Sequence, residues 1–268
     1  MTESTALRGS GLSLAYHGTP VVQDAGIVLC PGRVTALVGP NGSGKSTLLR
    51  ALARLHEPVS GSVRLHDGTS AFDLAPRDFA RKVTLLSQSR PTPSGVLVRD
   101  VVAYGRHPHR GRWRAGDPEG AAAVARAMDL TGTTGMADRP ADELSGGELQ
   151  RVWLATCLAQ ETGVLLLDEP TTFLDLRYQV ELLDLVRDLA DHHEVAVGVV
   201  LHDLDQAASI ADEIVLLHDG RIRAVGSPAE VLTEAHLTEA YGIRVEVTHD
   251  GGTIRTRPVG RHTQRATA

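Results

Sequence analysis

Nine residues, Gly39-Pro40-Asn41-Gly42-Ser43-Gly44-Lys45-Ser46-Thr47, carry the pattern G-x-x-x-x-G-K-[ST]. They follow the apolar run Val34 to Val38 and precede Leu48-Leu49-Arg50-Ala51-Leu52, which has helical spacing. Strand, glycine-rich loop and helix in that order suit a phosphate. Glycines let backbone N–H groups turn inward, and the helix points its positive dipole end at the same place. Lys45 adds a point charge for the β- and γ-phosphates, and the Ser46 hydroxyl can ligate Mg²⁺. The loop implies a nucleoside triphosphate, without saying what the energy drives.

Further groups complete that chemistry. Val164 to Pro170 reads as a buried parallel strand ending in two carboxylates. Asp168 is placed to hold a Mg²⁺ shell, and Glu169 to polarise a water aimed at the γ-phosphate. Val195 to Leu201 reads as another buried strand, with His202 at its end. In the same sheet as Asp168 and Glu169, that histidine can reach the γ-phosphate. Gln88 ends the strand Val83 to Gln88, on the side where an α/β sheet meets its ligand. Ser145-Gly146-Gly147 opens a helix and offers a second anion site, with free N–H groups, a capping hydroxyl and the dipole, although taken alone such a start is more often just an N-cap. Tyr16 ends a strand and could stack on a base, but the residues alone favour a strand aromatic without a ligand.

The elements that must position these groups follow from periodicity and turn residues. Gly11 to Tyr16 and Val21 to Leu29 read as antiparallel edge strands, and Lys45 to Leu55 as a helix. Gly61 to Leu65 is a strand and Pro76 to Lys82 a short helix. Helices at Val98 to Gly105, Asp117 to Leu130 and Glu148 to Gln160 replace the strand signals. Arg106 to Arg114 between the first two reads as a basic surface loop; His107 and His109 lack the partners of a metal site. The helix after Asp175 places Leu176, Val180, Leu183 and Arg187 on one face, read as core packing. Leu204 to Ala211 is a helix. A hairpin turns at Asp219-Gly220, Pro228 to Leu232 and Glu234 to Tyr241 are helices, and a last hairpin turns at Gly251-Gly252.

The 268 residues suffice for a large core, and 42% apolar and 22% charged content are ordinary for a globular protein. A net charge of −6 argues against nucleic acid as a partner. Two distant cysteines, Cys30 and Cys157, suggest a reducing compartment. The start of the sequence has no apolar stretch of the signal-peptide kind, and no run is long enough to span a bilayer. Basic residues are almost all arginine; Lys45 and Lys82 are the only lysines.

Taken in order, Gly39–Thr47, Gln88, Leu144-Ser145-Gly146-Gly147-Glu148, Leu165–Pro170, Asp175 and His202 resemble the ATP-binding cassette (ABC) ATPases over about Leu12 to Val231. The resemblance implies an α/β fold: a P-loop NTPase, RecA-like core with an antiparallel β edge and an inserted helical subdomain bearing the signature. The corresponding division is one ATPase domain over 1–249 (core 1–88 and 161–249, helical subdomain 89–160), then a C-terminal hairpin and disordered tail over 250–268. It implies ATP and Mg²⁺ as cofactors and a head-to-tail dimer with a second copy of the chain. Ser145, Gly146 and Gly147 of one copy then face the γ-phosphate held by Lys45 of the other. It makes Tyr16 the adenine-stacking aromatic, Asp175 a residue of the dimer interface at the nucleotide, and Gln88 a metal ligand and sensor.

Val102-Ala103-Tyr104-Gly105-Arg106-His107-Pro108-His109, Ala137 to Leu144 and Thr171-Thr172-Phe173-Leu174-Asp175-Leu176 are similar to the ATPases of ferric-siderophore importers, a group shared with cobalamin and haem importers. Glu148-Leu149-Gln150-Arg151 departs from the Gly-Gly-Gln-Arg-Gln-Arg form of the siderophore members. What this implies is an ATPase on the cytoplasmic face of the cell membrane, bound to integral membrane permease subunits and served indirectly by a substrate-binding protein. The basic stretch would lie where permease helices dock. One alternative is an importer ATPase for another cargo, such as cobalamin, haem or another metal chelate; a less favoured one is a soluble, non-transport ABC ATPase, and such proteins usually carry two cassettes or a long coiled coil.

Overall fold

Antiparallel strands β1 (Leu7–Tyr16) and β2 (Thr19–Leu29) lead into β3 (Val34–Val38) and helix α1 (Lys45–Leu52). Then come β4 (Ser60–Leu65), α2 (Pro76–Ala80) and β5 (Val83–Leu86), followed by helices α3 (Val98–Ala103), α4 (Gly120–Leu130) and α5 (Gly146–Ala159). The chain returns to β6 (Val164–Asp168), α6 (Leu176–His193), β7 (Ala196–Val200) and α7 (Leu204–Ile210). It ends with β8 (Glu213–His218), β9 (Arg221–Gly226), α8 (Pro228–Val231), α9 (Glu234–Tyr241), β10 (Val245–Asp250) and β11 (Thr253–Pro258). The structure is a computed structural model and describes residues 6–88, 92–110, 116–172 and 174–260. The expected disordered tail past Gly260, residues 111–114 of the basic stretch, and Phe173 lie outside them.

The main sheet has the order β5-β6-β7-β3-β8-β9, parallel except for β9. Its central strands β3, β6 and β7 are buried at every residue, as expected for strands covered on both faces. Alternation divides them between two cores. Leu165 and Leu167 of β6, Val197 and Val199 of β7 and Ile214 and Leu216 of β8 pack with α6, α7 and α9. Val164 and Leu166, Ala196 and Val200, Val215 and Leu217 pack with α1 and a second sheet, β2-β1-β4. Helices α3, α4 and α5 enclose a cluster of their own, with Val98, Val101, Met128 and Val152 at its centre. Among the described residues no helix is long and apolar enough to cross a membrane.

Three expectations need correction. Leu176 is 81% exposed and Val180 57%, so they do not pack in the core; α6 buries Leu182, Leu183, Val186, Leu189 and Ala190 instead. The helical period is right, but the first turns of α6 rise from the loop after β6, before the helix settles onto the sheet. Arg106 does not lie in a surface loop. It is 3% exposed, in a 3₁₀ turn over Tyr104–His109. Its Nε and Nη2 donate to Asp117 at 2.6 and 2.9 Å, and its Nη1 to Glu161 at 2.6 Å and to the Ala159 carbonyl at 2.9 Å. A planar fork matched by a carboxylate makes that burial tolerable. A boundary at 250 cuts through the β10–β11 hairpin, whose Val245 and Ile254 belong to the α6 and α9 side of the core.

Candidate functional site

The loop after β3 turns where side chains would collide. Gly39 has φ +141°, and a Cβ there would meet the Leu217 carbonyl oxygen at 2.0 Å. Gly44 has φ +101°, and a Cβ would meet Val22 Cγ2 at 2.7 Å. Gly44 precedes α1 without a side-chain cap, so the first-turn N–H groups of α1 face the loop. Lys45 is 5% exposed, and its Nζ donates to the carbonyls of Gly39 at 2.8 Å and Pro40 at 2.9 Å. Burial lowers the pKa of its amine, against the opposing pull of Glu169 and Asp168. Ser43 Oγ is buried without a hydrogen-bond partner. Inward N–H groups, a buried ammonium and an unpartnered hydroxyl together suit an anion.

Ser46 Oγ donates to Asp168 Oδ1 at 2.6 Å. The other oxygen, Oδ2, is buried and accepts no hydrogen bond; Arg50 Nη2 stands 3.6 Å away. A hydroxyl beside an orphaned carboxylate oxygen is a fitting oxygen donor set for a hard divalent cation such as Mg²⁺. Among the described residues no cluster of three His, Cys, Asp or Glu could hold a metal unaided, so triphosphate and water would supply the remaining ligands. No motif in the sequence marks Arg50, although its place four residues after Ser46 sets both on one face of α1.

Glu169 follows β6 in the left-handed region at φ +54°, a costly conformation for a residue with a side chain. Its N–H donates to the Val200 carbonyl at 3.2 Å, tying it to β7. The side chain meets His202 and Gln88: Oε1 lies 2.6 Å from His202 Nε2, and Oε2 accepts from Gln88 Nε2 at 2.6 Å. Gln88, Glu169 and His202 line one cavity of about 390 Å³ with Asn41, Gly42, Gly44, Lys45, Ser46, Thr47 and Val21. Thus the ends of β5, β6 and β7 and the loop after β3 converge at the carboxyl edge of the sheet, where such sheets bind ligands.

A glycine-rich loop, a hydroxyl–carboxylate pair and a further carboxylate at the sheet edge are shared by many nucleotide enzymes. The profile of the ABC transporter family matches residues 22–172, more than half of the chain. The chain belongs to the ABC transporter family. As a member, it binds and hydrolyses ATP to drive transport. It is 44% identical over 267 residues to the ferric enterobactin transport ATP-binding protein FepC of Escherichia coli K12, covering 97% of both chains. It is 41% identical to the achromobactin transport ATP-binding protein CbrD of Dickeya dadantii, covering 92% of this chain and 91% of CbrD. A solved inward-facing metal-chelate type ABC transporter superposes with a TM-score of 0.82 at 27% identity, covering 97% of this chain and 99% of that one.

Other sequence-predicted residues of this ABC ATPase stand apart from the cavity. Ser145 N-caps α5: its Oγ accepts from the Glu148 N–H at 3.3 Å, and Glu148 Oε2 accepts from the Ser145 N–H at 2.8 Å. Donation from the Ser145 N–H, and from its hydroxyl at 2.9 Å, holds the Glu148 carboxyl below its usual pKa. Gly146 and Gly147 form the first turn of the same helix, and neither lines the cavity. Asp175 caps α6, accepting from the Tyr178 N–H at 3.1 Å. Tyr16 is 40% exposed at the end of β1, its ring 4.5 Å from that of His56. Within one chain, then, the sheet-edge residues meet, while Ser145, Gly146, Gly147, Asp175 and Tyr16 remain outside their cavity.

Proposed function

We propose that this chain is the ATP-hydrolysing subunit of an importer for ferric-siderophore chelates. The observation that carries the hydrolytic part is the convergence of Lys45, Ser46, Asp168, Glu169, Gln88 and His202 on one cavity edge. Lys45 and the N–H groups of Gly39 to Thr47 hold the β- and γ-phosphates. Ser46, Asp168 and Gln88 would hold Mg²⁺, which when bound would supply neutralisation of the phosphate charge. Glu169 orients a water in line with the γ-phosphorus and takes up its proton. The new bond joins the water oxygen to phosphorus, and the bond to the β,γ-bridging oxygen breaks, leaving ADP and phosphate. His202 holds Glu169 and faces the γ-phosphate.

The second half of each site comes from a second copy. Ser145, Gly146 and Gly147 present a capped helix terminus to the γ-phosphate of the partner copy, and Asp175 lies at the contact between copies. The separation of these residues from the cavity within one chain supports that division. Tyr16, with its ring exposed at the end of β1, stacks on adenine. The names of the enterobactin and achromobactin relatives support the cargo class. In this reading the chain binds the cytoplasmic face of integral membrane permease subunits, and a substrate-binding protein delivers the chelate.

The test uses Glu169→Gln with ATP and Mg²⁺. The variant should bind ATP, lose hydrolysis and dimerise by light scattering. Normal turnover would remove Glu169 from its role, and a monomer with bound ATP would remove the shared site. For the cargo, ATP hydrolysis is followed in vesicles containing the cognate permease, against a panel of loaded binding proteins. Stimulation by ferric siderophores is expected; stimulation only by another chelate would reassign the cargo.

A further inference from the structure

Three glutamines on three helices converge on the segment that follows Glu169. Gln150 on α5 donates Nε2 to the Pro170 carbonyl at 3.2 Å. Gln179 on α6 donates Nε2 to the carbonyls of Leu174 at 3.0 Å and Thr171 at 3.4 Å. Gln206 on α7 donates Nε2 to Gln179 Oε1 at 2.8 Å, so the third amide holds the second. These contacts are partly buried, where neutral hydrogen bonds gain and an unpaired carbonyl is costly.

The placement is unusual in what it joins. Glu169 is held in the left-handed region, and such strain persists only where the surroundings fix it. The bond from the Thr172 N–H to the Glu169 carbonyl, at 3.3 Å, closes a tight turn at the start of the segment. The amides then tie the carbonyl of Pro170 to α5 and those of Thr171 and Leu174 to α6, and Gln206 joins α7 to them through Gln179. Helix α5 opens at Ser145. Helix α6 opens at Asp175. Helix α7 opens next to His202, its Asp203 cap accepting from the N–H groups of Asp205 and Gln206. Neutral amide donors anchor these carbonyls without adding a cation beside Asp168 and Glu169, where it would compete for the carboxylates.

We propose that Gln179, supported by Gln150 and Gln206, is a positioning residue for Glu169: the amide clasp fixes the direction of the carboxylate and ties it to the helices that begin at Ser145 and beside His202. The inference rests on the reading of Glu169 as the group that orients the attacking water. Gln179 touches neither nucleotide nor water; it acts through the backbone that bears Glu169.

The test measures kcat, KM and equilibrium binding of a fluorescent ATP analogue with the full chain and Mg²⁺. Gln179→Leu keeps the volume and removes both donated bonds. Its kcat should fall roughly tenfold, with KM and affinity within about twofold of the parent. Gln179→Glu sets a carboxylate against carbonyls and should lose at least as much. Gln150→Leu removes one bond from a different helix and should lower kcat about threefold, again with affinity kept. In a Glu169→Gln background, Gln179→Leu should not lower the residual rate further, because groups that act as a unit are not additive. Wild-type kcat in folded Gln179→Leu overturns the proposal, as does an equal loss of affinity and rate, or full additivity with Glu169→Gln. If Gln179→Leu does not fold, Gln150→Leu decides by the same split between kcat and affinity. Turnover retained in Glu169→Gln removes the reading beneath the proposal. Loss in Glu169→Gln with wild-type rates in both Gln150→Leu and Gln179→Leu removes the clasp alone.

Discussion

His202 Nε2 and Glu169 Oε1 stand 2.6 Å apart, just beyond the ends of the adjacent parallel strands β7 and β6. An ionised carboxylate only accepts, so the imidazole donates in this contact. Each carboxylate oxygen retains a second lone-pair direction, and a water can bind without breaking the pair. His202→Ala should therefore lower kcat roughly a hundredfold while ATP affinity changes little. Single-turnover hydrolysis beside equilibrium binding checks this, and unchanged turnover would leave His202 a packing residue.

Lys45 gives the opposite signature. Its ammonium already rests on two carbonyls of the loop and is positioned to exchange them for phosphate oxygens. Removing a charged hydrogen-bond donor costs about 1.5–3 kcal/mol, or at least roughly tenfold in affinity. Lys45→Ala should show that loss by titration calorimetry with ATP and Mg²⁺. Affinity like that of the parent would exclude the loop as the phosphate site.

Arg106 supplies a stability prediction away from the nucleotide. Truncation to Ala leaves Asp117, with only 10% of its side chain exposed, without its bidentate partner. Breaking buried pairs costs about 3–5 kcal/mol, and the more open Glu161 discounts that to about 2–3 kcal/mol here. A fall of several degrees in the melting temperature is expected, read by calorimetry.

The same pair sets a pH dependence. The hydrogen bond from Arg106 holds Asp117 below its ordinary pKa of 3.8. A group depressed in the folded chain contributes stability above its unfolded pKa and loses it as pH falls through the folded value. The contribution of Asp117 is therefore complete at neutral pH and fades below about pH 4. Asp117→Asn should flatten that part of the acid limb of denaturant midpoints. An acid limb equal to the parent's would mean that the pairing does not persist in solution.

Leu176 and Val180 are exposed on the first turns of α6. Replacing both by serine should change the stability of the isolated chain by no more than about 0.5 kcal/mol each, as for surface positions generally. A loss of 2 kcal/mol or more in urea unfolding would show that something covers them.

Residues whose neighbours lie close in sequence, or whose strands are apolar throughout, were legible without coordinates. The runs ending at Val38, Leu167 and Leu201 announce buried parallel strands, and the order of elements then brings Lys45, Asp168, Glu169 and His202 to one edge. Arg106 was not legible, because one partner is Asp117, 11 residues further on, and another is Glu161, beyond two helices. Periodicity displayed a stripe through Leu176 and Val180 but not where α6 meets the sheet. The three glutamines gave no signal, since their partners are mostly backbone carbonyls, which every residue possesses.

The lysine in the loop has a practical consequence. Lys82 is the only other lysine, so apart from the α-amino group the chain offers two primary amines to an acylating reagent. One of them is Lys45, shielded by the glycine-rich turn that surrounds it. Mass spectrometry of an amine-labelled sample would thus read how far that turn opens, one peptide for the site and one for a reference. The scarcity of lysine elsewhere turns the nucleotide loop into its own chemical reporter.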